Sequence, residues 1–156
     1  STSEHVKAEY EQNKRVKLNY GDSEVCLAWS HFKKLQALYQ GSIEDNQPFL
    51  DAVFCCVLRY QSVLQKGFQA ASTADVFGAI REAFNARFEC FASPLNCRYK
   101  FFCSAFPDTD AIFGSLGSFF ALNPRSGSFQ LNPPFVDDLI IEMVERLNHL
   151  LQTADD

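Results

Sequence analysis

Apolar residues recur at helical spacing in four parts of this chain, and short aromatic runs lie between the last two. Over residues 23–40 they fall at Leu27, Phe32, Leu35, Leu38 and Tyr39, a partly helical pattern that Gly41-Ser42 ends. Pro48 then sits where a first helical residue would. Phe49, Leu50, Val53, Phe54, Val57, Leu58 and Leu64 follow at helical spacing, with Gly67 as a stop. This second helix is apolar on more than one face, which predicts burial. A third opens at Ser72 or Thr73 as cap and carries Val76, Phe77, Ile80, Ala83 and Phe84 on one stripe. After Asn85 the pattern changes. Residues 88–92 are short, aromatic and closed by Ser93-Pro94, as in a strand ending in a turn. Residues 98–123 look irregular, and residues 126–131 resemble a second short strand. Val136, Leu139, Ile140, Met143, Val144, Leu147 and Leu151 then mark an amphipathic helix, with Asp137 and Asp138 favourable in its first turn. Residues 1–20 are charged and mostly polar, the pattern of a frayed arm. The order of elements is that of an α/β domain with a helical lead-in.

Composition narrows the classes. The chain has 156 residues, 47% of them apolar and 16 of them Phe, enough to bury a core and to exclude general disorder. The net charge of -5 gives no bulk attraction to phosphate backbones. No apolar run approaches the roughly 20 residues that span a bilayer, and the first residues lack the apolar core of a signal peptide, so a cytosolic or nuclear setting is the expectation. The six cysteines (Cys26, Cys55, Cys56, Cys90, Cys97, Cys103) show no CxxC pair and the histidines are scattered, which favours free thiols over zinc or disulfides.

The segment that carries chemistry is Asn132-Pro133-Pro134-Phe135, between the second strand-like run and the last helix. The exocyclic amine of adenine is a poor nucleophile because its lone pair is delocalised into the ring. An Asn side-chain oxygen and a proline carbonyl, both accepting from that amine, hold it in line with a methyl donor and stabilise its developing positive charge. Two prolines fix φ and donate no N–H, so the turn is stiff. Phe135 would stack on a base, a contact of roughly 1–3 kcal/mol, once the base has left any duplex stack. The same residues also suit a plain loop breaker with Phe135 as a staple for the helix. The position beyond the end of a strand is where open α/β sheets bind ligands.

Further motifs extend the picture. Phe88-Glu89-Cys90-Phe91-Ala92-Ser93-Pro94-Leu95-Asn96-Cys97, Cys103-Ser104-Ala105-Phe106-Pro107-Asp108-Thr109-Asp110, Phe113-Gly114-Ser115 and Ser126-Gly127-Ser128-Phe129 resemble, in order, the phosphorylated-CTD-interacting factor family. These are cap-specific adenosine methyltransferases of eukaryotic messenger RNA. The likeness runs from Phe88 to Leu151 and is weaker in the upstream helices, around Leu35–Tyr39 and Leu58-Arg59-Tyr60-Gln61. It implies a Rossmann-like methyltransferase core, S-adenosylmethionine as cofactor, a nuclear location, and N(6)-methylation of the 2′-O-methyladenosine next to the cap. It implies that Asn132, Pro133, Pro134 and Phe135 grip the acceptor adenine and that Ser93, Pro94 and Asn96 line the donor pocket; Asp108 and Asp110 suit either the donor ribose or a plain turn. Capped messenger RNA beginning with adenosine is the implied partner. The expected division is a polar arm over 1–20, a helical region over 21–86 and a partial Rossmann-like core over 87–156.

Two departures qualify the resemblance. The family carries a WW domain that reads the phosphorylated tail of RNA polymerase II. A WW domain is expected to show two spaced tryptophans, whereas this chain has Trp29 alone, so the module is expected to be absent. The sheet also looks cut short. Three readings follow: part of a cap adenosine methyltransferase, a non-catalytic relative acting as a binding module, or an adenine methyltransferase with another nucleic-acid substrate.

Overall fold

The computed structural model describes residues 5–64 and 73–155. The expected stop at Gly67 and cap at Ser72 lie outside the described residues.

The polar arm expected over 1–20 is a correction. Strands β1 (Lys7–Glu11), β2 (Arg15–Tyr20) and β3 (Ser23–Ala28) form an antiparallel meander. Charged residues hide a period of two: Val16, Leu18, Val25 and Leu27 are buried, while Arg15, Lys17 and Asn19 alternate with them. Both turns have local causes. Gly21, at φ 57, and Asp22 form the two-residue connection of β2 to β3, and Lys14, at φ 61, closes the three-residue connection of β1 to β2. The strand β3 and the helix α1 (Trp29–Leu38) thus divide a stretch that the sequence pattern treats as one helix.

Helix α2 (Asn46–Leu64) starts two residues before Pro48, whose missing N–H is harmless in a first turn. Its Phe49, Leu50, Val53, Phe54, Val57 and Tyr60 join Phe32 and Leu35 of α1 and the inner face of the meander in one core. Helix α3 (Ala74–Phe84) follows Thr73, which takes the cap position without a side-chain cap hydrogen bond. Asn85 ends it in the left-handed conformation, at φ 51.

The remainder mixes helix and sheet, consistent with an α/β class, but of the expected partial Rossmann-like core the described residues show only a small parallel sheet. Strand β4 (Glu89–Ala92) pairs in parallel with β5 (Phe102–Ser104) in a two-stranded sheet. Single parallel bridges, Glu89 to Gln130 and Phe102 to Ser115, extend it on either side. The link from β4 to β5 is a tight turn and loop rather than a crossover helix, and the run at 126–131 pairs only at Gln130. The loop region 98–123 holds β5, the short α4 (Pro107–Asp110) and two 3-10 turns, Ala111–Phe113 and Phe119–Ala121. The last helix, α5 (Asp137–Thr153), follows the NPPF turn as expected, and Leu150 and Met143 join a second core with Cys90, Cys103, Phe119 and Phe129.

Candidate active site

Strand β4 runs into a self-bonded turn. Asn96 Oδ1 accepts from the Ser93 backbone N–H at 2.7 Å and from Ser93 Oγ at 3.1 Å. Alongside β4, Gln130 is tied on both sides: the Cys90 N–H donates to its carbonyl and its own N–H donates to Phe88, each at 2.9 Å. This pairing delivers the next residues, Asn132 to Phe135, past the end of β4. They close one wall of a cavity of about 180 Å³, lined also by Glu89, Phe91, Ser93, Asn96, Phe119, Phe120 and Gln130, with Tyr60 and Phe77 from the helices.

The NPPF turn presents its polar atoms unevenly. Pro134's carbonyl accepts from the Val136 N–H at 2.8 Å, which holds the turn against the start of α5. Asn132 and both prolines are half-buried, while Phe135 is 70% exposed at the mouth, where a ring can stack on a ligand. Gln130 contributes a signal that the sequence did not give: its Oε1 is buried beside the cavity with no hydrogen-bond partner among the described residues. A buried acceptor in that state costs about 1–3 kcal/mol, a cost that a ligand N–H would relieve. Only tertiary pairing reveals it, since glutamine in a strand-like run carries no motif.

Glu89 occupies the floor, 6% exposed. Its Oε2 accepts from the backbone N–H groups of Arg98, at 2.7 Å, and Tyr99, at 3.1 Å. Burial pushes its carboxyl above the ordinary range and those N–H groups pull it back. Glu89 thereby clamps the loop after the Ser93–Asn96 turn onto β4. Tyr99, placed by that loop, packs edge-on to Phe77 and donates to the Ala86 carbonyl at 3.0 Å.

The predicted site residues divide. Asn132, Pro133, Pro134, Phe135, Ser93 and Asn96 come together around one cavity. Pro94 is buried in the turn and does not line it. Asp108 lies outside in an exposed ion pair with Arg59 at 3.0 Å. Asp110 is wholly buried and turned into the core, where it accepts from Tyr60 Oη at 2.5 Å and Thr109 Oγ1 at 3.0 Å. The five residues expected to hold the methyl donor therefore do not assemble as one donor pocket. Among the described residues, no group of three or more His, Cys, Asp or Glu side chains converges as metal ligands would, and no helix is long and apolar enough to cross a membrane.

Comparison with known proteins adds kinship. Residues 34–156 match the family model described as "Phosphorylated CTD interacting factor 1 WW domain". A protein of Mus musculus named "mRNA (2'-O-methyladenosine-N(6)-)-methyltransferase" is 40% identical over 152 residues. A protein of Homo sapiens with the same name is 40% identical over 152 residues. Each match covers 92% of this chain and 22% of the relative, so the chain spans about a fifth of the length of these curated proteins. The expected absence of the WW module is corrected by the family match, which carries that description. The criterion of two tryptophans misled, because the matched segment begins after Trp29 and contains none.

Proposed function

This chain belongs to the phosphorylated CTD interacting factor family, and from that premise we propose that its cavity receives an adenine for S-adenosylmethionine-dependent methylation at N(6). The substrate in this reading is the 2′-O-methyladenosine next to the cap of messenger RNA, and the setting is the nucleus. One observation carries the reading: Asn132, Pro133 and Phe135 line one base-sized cavity. The cavity is smaller than the roughly 300–1,000 Å³ of sites for drug-sized ligands, so it suits a single base.

S-adenosylmethionine, when bound, supplies an electrophilic methyl group. The work of this chain's residues is on the acceptor. Asn132 Oδ1 and the Pro133 carbonyl accept from the two N–H bonds of the exocyclic amine, fix its direction and stabilise the positive charge that grows on nitrogen. Phe135 stacks on the base, and Phe119 and Phe120 exclude water from the rear. Ser93 and Asn96 form the polar rim. Replacing Asn132 with Ala in the full chain should lower methyl transfer to capped RNA beginning with 2′-O-methyladenosine by roughly 10²–10³-fold, in a variant that circular dichroism shows to be folded. Undiminished transfer by Asn132→Ala would sink this assignment. Internal adenosines and DNA, run beside the capped RNA, test the alternative substrate.

A second reading draws on the description of the matched family. In it the chain binds a phosphorylated CTD peptide and contributes recognition rather than chemistry. Titration with such a peptide, phosphorylated and unphosphorylated, separates the two: discrimination between the peptides supports binding, and equal weak affinity removes it.

A further inference from the structure

A second cleft, of about 550 Å³, lies back to back with the base cavity. The two share Tyr60, Ser93 and Asn96 as a common wall. The cleft is walled otherwise by the meander and the first two helices, with Arg15 from β2, His31 from α1 and Gln61 from α2. Gln61 Nε2 donates to the Cys26 carbonyl at 3.3 Å, and Lys34 Nζ donates to the Leu95 carbonyl at 3.2 Å, so meander, helices and turn are tied together around it.

Its charge is opposite to that of the chain. The protein carries 19 acidic against 14 basic residues, yet none of the described residues lining this cleft is acidic, and Arg15 and His31 both line it. Arg15 makes no ion pair among the described residues, so its guanidinium is available to a ligand. A cleft that presents Arg15 and, among the described residues, no carboxylate, and that shares a wall with a base-sized cavity, matches the repeating unit of a polynucleotide, in which each base is joined through a sugar to a phosphate.

We propose that this cleft holds the phosphate adjoining the target adenosine, with Arg15 and His31 as its ligands. The inference rests on the base-cavity reading above and deepens it: the preferred substrate is a phosphorylated or extended nucleotide, not the free nucleoside. Arg15 acts as a binding residue here, and Asn96, the exposed residue of the shared wall, forms the ridge that the sugar crosses.

The test is equilibrium binding by the full chain of three probes: adenosine, adenosine 5′-triphosphate, and the dinucleotide ApG. The triphosphate and the dinucleotide place phosphate on the 5′ and 3′ sides, so their comparison reports which side occupies the cleft. At least one of the two should bind about tenfold more tightly than adenosine, the effect of one charge-assisted contact. Arg15→Gln should remove most of that gain, leave adenosine affinity unchanged, and lower the slope of log K against log salt by about 0.7. Arg15→Lys should restore part of the gain. If the double variant Arg15→Gln, His31→Gln keeps the gain in full, the phosphate site is refuted while the base cavity stands. If no probe binds, the base-cavity reading itself falls and the inference with it. If a phosphoserine peptide depends on Arg15 and the nucleotides do not, the cleft is a phosphopeptide site and the nucleotide inference is wrong.

Discussion

Replacing Tyr60 with Phe tests the buried wall between the two cavities. Tyr60 is 5% exposed, its ring meets Phe106 edge-on at 5.2 Å, and its hydroxyl donates to a carboxylate, Asp110, that is wholly buried. The substitution keeps the ring and removes that donor. Asp110 then keeps Thr109 Oγ1 at 3.0 Å and a weak thiol donor, Cys56, at 3.8 Å. A hydrogen bond to a charged group contributes about 1.5–3 kcal/mol, so we expect a loss of about 2 kcal/mol at neutral pH. For a chain of this size that is roughly 4–8 °C in melting temperature. The pH dependence is specific. Burial pushes the Asp110 carboxyl above its ordinary 3.8, and Tyr60 is first among the hydrogen bonds that pull it back. A raised folded-state pKa means stability that is greatest below 3.8 and is lost as pH rises through the folded value. Without the Tyr60 donor that value rises further, so the variant should lose stability over a wider span of pH. Burial raises the Tyr60 hydroxyl itself well above its ordinary value, so it remains a donor throughout. Once Asp110 is protonated the lost bond is neutral and the deficit should shrink to about 1 kcal/mol. Urea unfolding of wild type and variant across this pH range measures both quantities. A deficit under about 0.5 kcal/mol at neutral pH, or one that does not shrink on acidification, would refute the role given to this pair.

Two further expectations concern other parts of the fold. Gly114 has φ 103, and a Cβ added there would collide with the Lys100 carbonyl oxygen; Gly114→Ala should cost at least about 1 kcal/mol in urea unfolding, and an unchanged midpoint would overturn this account of the turn. Of the six cysteines, Cys56, Cys90, Cys97 and Cys103 are buried, with burial pushing the Cys90 thiol up to about 12 and the Cys97 and Cys103 thiols up to about 11. A thiol reagent at pH 8 should therefore modify Cys26 and Cys55 alone in the native chain and all six on unfolding; rapid native labelling of Cys90 would show that the floor of the base cavity opens.

The helices α2, α3 and α5 and the NPPF turn before α5 were legible because their signals are local. An apolar stripe, a left-handed Asn85 and a pair of prolines act within a few residues of themselves. The meander was not legible, because period-two burial of Val16, Leu18, Val25 and Leu27 is interrupted by lysines and glutamates that a solvated face tolerates. The extent of the sheet was also beyond the sequence. A short run with apolar and polar residues in alternation becomes a strand only where a neighbour pairs with it, and residues 126–131 found that neighbour at Gln130 alone.

The same division holds for the site. The sequence determined which atoms are at hand for the proposed grip on an adenine, since the acceptors of Asn132 and Pro133 and the ring of Phe135 follow from covalent chemistry. Tertiary structure decided which polar groups join them. Asp108 and Asp110 are two residues apart, yet one is paired at the surface and the other buried against Tyr60, because the short helix α4 directs them to opposite environments. Glu89 and Gln130, far apart in sequence, become neighbours through one parallel bridge. Burial and partner choice are properties of the assembled chain, because they depend on contacts whose sequence separation leaves no local pattern to read.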